Sequence, residues 1–216
     1  MPPTLLLDLD GTLVDTLPDL LASLNRSLRP AQPYTAAETR SWIGDGAGVL
    51  VKRALAARGK QATEADMQAM LQDYLAHVSD HSVPFPGCIA ALDQLNAAGW
   101  KLAVCTNKPE RAARDLLAAL GLLDRFAAVG GGDSFPVRKP DPAHLHATLA
   151  AAGGHAERAV MVGDHQNDIL AATGAGIPCV FAGWGYGDDP AGAVATAASF
   201  AELSELAGEV LTRGPA

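Results

Sequence analysis

The sequence predicts an α/β fold, a doubly wound, Rossmann-like parallel sheet with an inserted helical cap. Three observations point to it. Five short apolar or β-branched runs, at residues 4–9, 101–105, 126–129, 159–162 and 179–182, have the length and composition of buried strands. From Gly87 onward these runs alternate with helix-like segments, as in a parallel sheet covered on both faces. The interval 15–86 holds no convincing strand and reads as helices.

The elements follow in order. The first run ends in two acids, in "TLLLDLDGTLVDT". "TLPDLLASLNRSL" then reads as a helix, with Thr16 and Asp19 in capping-box positions and Pro18 in the first turn. "GVLVKRALAARG" and "TEADMQAMLQDYLAHV" are further amphipathic stretches, the second with Thr63 as N-cap. "VPFPG" rejoins the core, which places the catalytic core at 1–15 and 84–216 and the cap at 16–83. Residues 187–197, rich in Ala and Gly, read as a loop, and "FAELSELAGEVL" as a closing helix.

Composition narrows the function. The 216 residues suit one core plus a smaller lobe, and 49% apolar content supports a sizeable interior. Sixteen basic against 24 acidic side chains give a net charge of −8, which argues against a nucleic-acid or membrane-surface binder. A local site on such a protein can still be positive and take an anionic substrate. Cys88, Cys105 and Cys179 lie far apart without C-x-x-C spacing, so reduced core thiols are expected. The first apolar run has no basic flank and is broken by acids after four residues. Neither a signal peptide nor a transmembrane segment is expected, and the cytoplasm is the expected location.

The chemistry collects at strand ends. Asp8 and Asp10 share one side of the extended chain by the period of two, and Gly11 permits a sharp turn after them. Adjacent carboxylates repel and resist desolvation, so a compensating cation is expected. The second strand ends "VCTNKP", offering the Thr106 hydroxyl and the Asn107 amide. "RKPDP" offers Lys139, and "MVGDHQND" offers Asp164 and Asp168. Right-handed crossovers bring these ends to one edge of the sheet. A carboxylate cluster of this kind suits Mg²⁺, while an ammonium and a hydroxyl suit phosphoryl oxygens. Phosphoryl transfer is the expected chemistry.

"DLDGTLVDT", "TNK", "KPDP" and "GDHQND", in this order, resemble the phosphatase branch of the haloacid dehalogenase superfamily over nearly the whole chain. "SWIGDGAGVLVKRAL" and "GGD" at 131–133 resemble more narrowly the bacterial phosphoglycolate phosphatases. The resemblance implies Asp8 as nucleophile, forming an aspartyl-phosphate, and Asp10 as general acid and base. It implies Mg²⁺ held by Asp8, Asp164 and the backbone carbonyl of Asp10, with Asp168 behind them orienting a metal-bound water or Lys139. Thr106, Asn107 and Lys139 would bind the transferring phosphoryl group. The expected substrate is a small anionic phosphate ester, 2-phosphoglycolate first, for a monomer or homodimer without nucleic-acid or membrane partners. Two departures bear on the substrate: His165 stands where these phosphatases often have Ser, and Asp45 where the cap loop often has Asn.

Other features carry less. His77 and His81 are expected on a solvated helix face, and His144 and His146 receive no role. "GDGAG" and "GWGYG" lack dinucleotide spacing and read as loops. Trp42 and Ile43 either pack in the core or line the lid, and Arg40, Lys52, Arg53 and Lys108 are candidate partners for a substrate carboxylate. A phosphosugar mutase shares the acid pair, but its cap loop would present a phosphate-clamping Arg near 44–48, where this chain has none. A receiver-like binding module needs neither the cap nor Asp10.

Overall fold

The computed structural model describes residues 1–213. In chain order it contains β1 (Thr4–Leu7), β2 (Val14–Asp15), α1 (Leu17–Leu28), α2 (Ala36–Arg40), α3 (Ala47–Ala56), α4 (Glu64–Ala76), β3 (Val83–Pro84) and α5 (Cys88–Ala97). There follow β4 (Lys101–Cys105), α6 (Glu110–Ala119), β5 (Ala128–Gly130), α7 (Pro142–Ala152), β6 (Ala159–Gly163), α8 (Gln166–Gly174), β7 (Cys179–Ala182), β8 (Ala195–Ala197) and α9 (Phe200–Arg213).

Six strands form one parallel sheet in the order β5-β4-β1-β6-β7-β8. The chain runs outward from β1 on one side, then returns and runs outward on the other, so β1 flanks the switch point where α/β sheets place their ligands. Alternation along β1 feeds two cores. Leu5 and Leu7 pack with Leu92 of α5 and Leu203 of α9 on one face. Leu6 packs with Leu145 of α7 and Ile169 of α8 on the other. A third cluster, including Leu24, Leu50, Met70 and Tyr74, holds α1, α3 and α4 together. Among the described residues no helix is long and apolar enough to cross a membrane.

Several expectations need correction. The sheet has six strands, because the stretch read as a loop ends in β8, whose three residues are too short to show a period. The first strand stops at Leu7, two residues early, and the strand expected at 126–129 lies at Ala128–Gly130. The interval read as free of strands begins and ends in a small antiparallel pair: Val14 faces Pro84 and Asp15 faces Val83. This pair ties together the two connections to the helical insertion.

Helix starts divide in the same way. Thr63 caps α4 in a reciprocal box with Asp66, as its spacing predicts. Thr16 precedes α1 but makes no cap hydrogen bond; its hydroxyl donates to Asp10 Oδ1 at 2.7 Å. Asp19 turns away as well. Buried, it accepts the His81 and Ser82 backbone N–H groups at 3.0 and 2.8 Å and the Ser82 hydroxyl at 2.6 Å. α4 ends at Ala76, so His81 lies beyond it, and His77 is the C-cap paired with Asp80.

Burial pushes the Asp19 carboxyl up, but the Ser82 and His81 donors together outweigh it and hold the group below its ordinary value. Asp19→Ala is therefore expected to cost about 2 kcal/mol or more near neutral pH. A depressed folded pKa stabilises fully above the unfolded value and loses that effect as pH falls through the folded one. Wild-type and variant melting temperatures should thus draw together as pH falls below the ordinary carboxylate value; a gap that stays unchanged as the carboxyl is protonated would contradict this assignment.

Candidate active site

Parallel register delivers the site. Leu7 of β1 pairs with Val104 of β4 and with Val162 of β6, so the three central strands finish together. The residues just past their ends are Asp8, Thr106 and Asp164, all buried.

Asp8 is held by the Leu9 N–H at 2.7 Å and the Lys139 ammonium at 3.0 Å. Burial, with Asp168 and Asp164 nearby, raises its pKa to about 7 against the opposing pull of Lys139. Lys139 itself has no exposed side-chain surface. Its Nζ meets the Cys105 carbonyl at 2.7 Å, Asp168 Oδ1 at 2.5 Å and Asp8 Oδ1 at 3.0 Å, which accounts for all three donors. Burial alone would lower its pKa; Asp168 and Asp8 more than offset that and keep it charged.

Asp164 accepts the Thr12 hydroxyl at 2.8 Å and the Tyr186 N–H at 2.7 Å, and pairs with His165 Nδ1 at 3.2 Å. Burial pushes it up, yet His165, Thr12 and Tyr186 together hold it below the usual carboxylate value. His165 is raised to about 9, as Asp164 outweighs its burial. Asp168 accepts the His165 N–H at 3.1 Å, which starts α8, and grips Lys139 with its other oxygen. Only glycine fits at position 11: φ is 84°, and a Cβ there would lie 2.5 Å from Asp164 Oδ2.

Asp10 lies beside a cavity bounded by α1, α3, α4 and the segment Thr106–Pro109. Its Oδ1 accepts the Thr16 hydroxyl at 2.7 Å and the Lys108 ammonium at 2.9 Å. Thr106 lines the same cavity and accepts the Lys108 N–H at 3.2 Å. The free interior is about 30 Å³, which corresponds to roughly two or three water-sized groups.

The structure brings Asp8, Asp10, Thr106, Lys139, Asp164 and Asp168 together. Asp168 has one oxygen on Lys139 and the other on the His165 N–H. Asn107 lines the same cavity, and its amide nitrogen donates to the Gly44 carbonyl at 3.2 Å and the Lys139 carbonyl at 3.0 Å, while its Oδ1 is buried without a hydrogen-bond partner. Asp45 adds no bare charge, being paired with Arg53 at 2.6 Å. Ile43 lines the cavity, whereas Trp42 packs edge-on to Tyr34, so the two adjacent residues divide the roles considered for both.

Four further residues had little or no signal in sequence. Lys108 is buried beside Asp10 and was expected only as one cation among several. Tyr186, in a stretch read as loop glycines, donates its hydroxyl to Asp15 and accepts the Thr16 N–H, both at 2.7 Å. Asn167 donates to the Gly44 carbonyl at 2.9 Å. His144, assigned no role, is wholly buried; its Nδ1 accepts the Lys139 N–H at 3.2 Å, and its Nε2 lies 3.1 Å from the Gly131 carbonyl. With Asn107 on the Lys139 carbonyl, both backbone polar groups of that lysine are held by side chains.

The donor set fits a hard cation. Asp8, Asp164 and Asp168 are all buried, with Lys139 between Asp8 and Asp168 and His165 beside Asp164, and the Asp8 pKa is raised first by burial and then by the two neighbouring carboxylates. Ligand atoms of Asp164, His165 and Asp168 lie within 4.8 Å of one another. Asp168 is engaged by Lys139, and protonated His165 offers no lone pair where it faces Asp164. Asp8 keeps one oxygen, Oδ2, outside these contacts, each oxygen of Asp164 already accepts a hydrogen bond and its Oδ1 retains a lone pair, and the carbonyl of Asp10 is close by in sequence.

A family model described as haloacid dehalogenase-like hydrolase matches residues 5–182. A phosphoglycolate phosphatase of Mesorhizobium japonicum is 46% identical over 192 residues, 86% of this chain and 85% of the relative. One from Rhodospirillum rubrum is 43% identical over 216 residues, covering 95% and 90%. A crystal structure of a predicted phosphoglycolate phosphatase from Haemophilus somnus superposes with a TM-score of 0.85 at 32% identity, covering 95% and 97%. CbbY from Rhodobacter sphaeroides in complex with phosphate superposes at 0.80 with 27% identity, covering 94% and 96%. The family model spans well over half of the chain and these relatives cover most of it, so the protein belongs to the haloacid dehalogenase-like hydrolase family.

Proposed function

We propose that the protein is a phosphatase that hydrolyses a small phosphate monoester, 2-phosphoglycolate, through an aspartyl-phosphate on Asp8. The observation that carries this is the placement of Asp8 and Asp10 at one strand end beside a small cavity. In the first step Asp8 Oδ attacks phosphorus, the bond to the ester oxygen breaks, and Asp10 delivers a proton to that oxygen. In the second, water attacks the same phosphorus, Asp10 takes its proton, and the bond to Asp8 breaks. Lys139 and the Thr106 hydroxyl stand where phosphoryl oxygens would gather charge. Asp8, Asp164 and the Asp10 carbonyl would hold Mg²⁺, which supplies charge screening between the carboxylate nucleophile and the anionic ester.

Residues 16–83 serve as a cap in this reading, closing the cavity against stray water until the leaving group departs. The names of the relatives favour phosphoglycolate. Phosphate release from 2-phosphoglycolate should be fast with Mg²⁺, abolished by chelator and restored by added metal. Faster release from sugar phosphates would move the substrate; no release from any monoester would overturn the reading.

A further inference from the structure

We infer that Lys108 is the specificity-determining residue that binds a carboxylate on the leaving group, an assignment that rests on the phosphatase reading above. The cavity beside Asp10 is walled from the helical side by Leu20, Ile43, Leu50, Met70 and Tyr74, which offer an anion no positive charge. Among the described residues lining it, Lys108 is the one cation. A carboxylate entering such a space loses its hydration, and only a charged donor within the cavity compensates it.

The donors of Lys108 are arranged for this. An ammonium has three N–H groups. Those of Lys108 meet one carboxylate, Asp10 Oδ1 at 2.9 Å and Oδ2 at 3.2 Å, and beyond that the face of the Tyr74 ring, 4.3 Å from Nζ to its centroid. A ring face is a weaker partner than a carboxylate and yields to one. Lys139 differs: its three donors already meet three oxygens.

The other candidate cations are placed elsewhere. Arg53 pairs with Asp45, Arg40 donates to the carbonyls of Gly185 and Tyr186, and Lys52 is exposed. None of the three lines the cavity. A carboxylate on the carbon that bears the ester oxygen would meet the Lys108 ammonium beside Asp10, so the substrate class is a phosphorylated 2-hydroxy acid.

The test compares two esters of one skeleton, 2-phosphoglycolate and 2-hydroxyethyl phosphate, in which a hydroxymethyl group replaces the carboxylate. Values of kcat/KM are measured with saturating Mg²⁺ for wild type and Lys108→Met. Losses through altered support of Asp10 fall on both substrates and cancel in the ratio. Wild type should prefer the carboxylate ester, and Lys108→Met should lower that preference roughly 10- to 100-fold, the effect of one charge-assisted hydrogen bond. Lys108→Gln, which keeps a donor for Asp10, is read in the same way if the Met variant does not fold. A preference retained in these variants overturns the role of Lys108 alone. Wild-type turnover of 2-hydroxyethyl phosphate without turnover of 2-phosphoglycolate overturns the substrate reading together with it.

Discussion

Asp8→Asn should reduce phosphate release by about 10⁴-fold or more, while the protein stays at least as stable as wild type in metal-free buffer. The two halves have one cause. Asp8 is buried among other carboxylates, and its pKa rises from 3.8 to about 7 on folding. Ionised Asp8 therefore opposes folding of the metal-free protein; the penalty grows from about pH 4 to about pH 7 and is constant above. An amide of nearly the same shape removes the charge, and with it the nucleophile. The melting temperature of the variant minus that of wild type, in chelator, should widen over that interval and then level. Retained turnover would remove Asp8 from the chemistry, and a large loss of stability would show that its charge supports the fold.

Lys139→Met should show the opposite balance, losing both activity and stability. It removes the ammonium between Asp8 and Asp168 and leaves two buried carboxylates without a counter-ion. Breaking a buried pair from one side costs about 3–5 kcal/mol, which for a chain of this size lowers Tm by roughly 6–20 °C. The double variant Lys139→Met/Asp168→Asn should recover part of the melting temperature, since it removes one stranded charge, and none of the turnover. Equal melting temperatures for wild type and the single variant would refute the charge accounting. A double variant no more stable than the single one would place the loss in packing around the Lys139 stem instead.

These variants act on residues legible from the chain, and the contrast with those that were not is instructive. Asp8 and Asp10 follow an apolar run at period two, and a glycine that must take positive φ follows them. Thr106 and Asp164 stand one residue past their strands in the same way. Such signals are local, because a strand end, a turn and a helix start each depend on a few adjacent residues. Thr16 and Asp19 show where local signals mislead. Their spacing suits a capping box, but each found a stronger partner across the fold, Asp10 for one and the His81–Ser82 backbone for the other. A side chain caps its helix only when nothing better lies within reach.

By itself the sequence determined the α/β class, the helical insertion after the first strand and the acids, hydroxyl and lysine that meet at one edge. Period, punctuation and right-handed crossover suffice for those. Tertiary structure alone decided the pairings: Lys108 with Asp10, His144 with the Lys139 backbone, Tyr186 with Asp15, and β8 with β7. Lys108 and Asp10 are 98 residues apart, and nothing in either neighbourhood names the other. Sheet order and the seating of the insertion set that distance, and a buried charge pairs with whichever opposite charge the fold brings within reach.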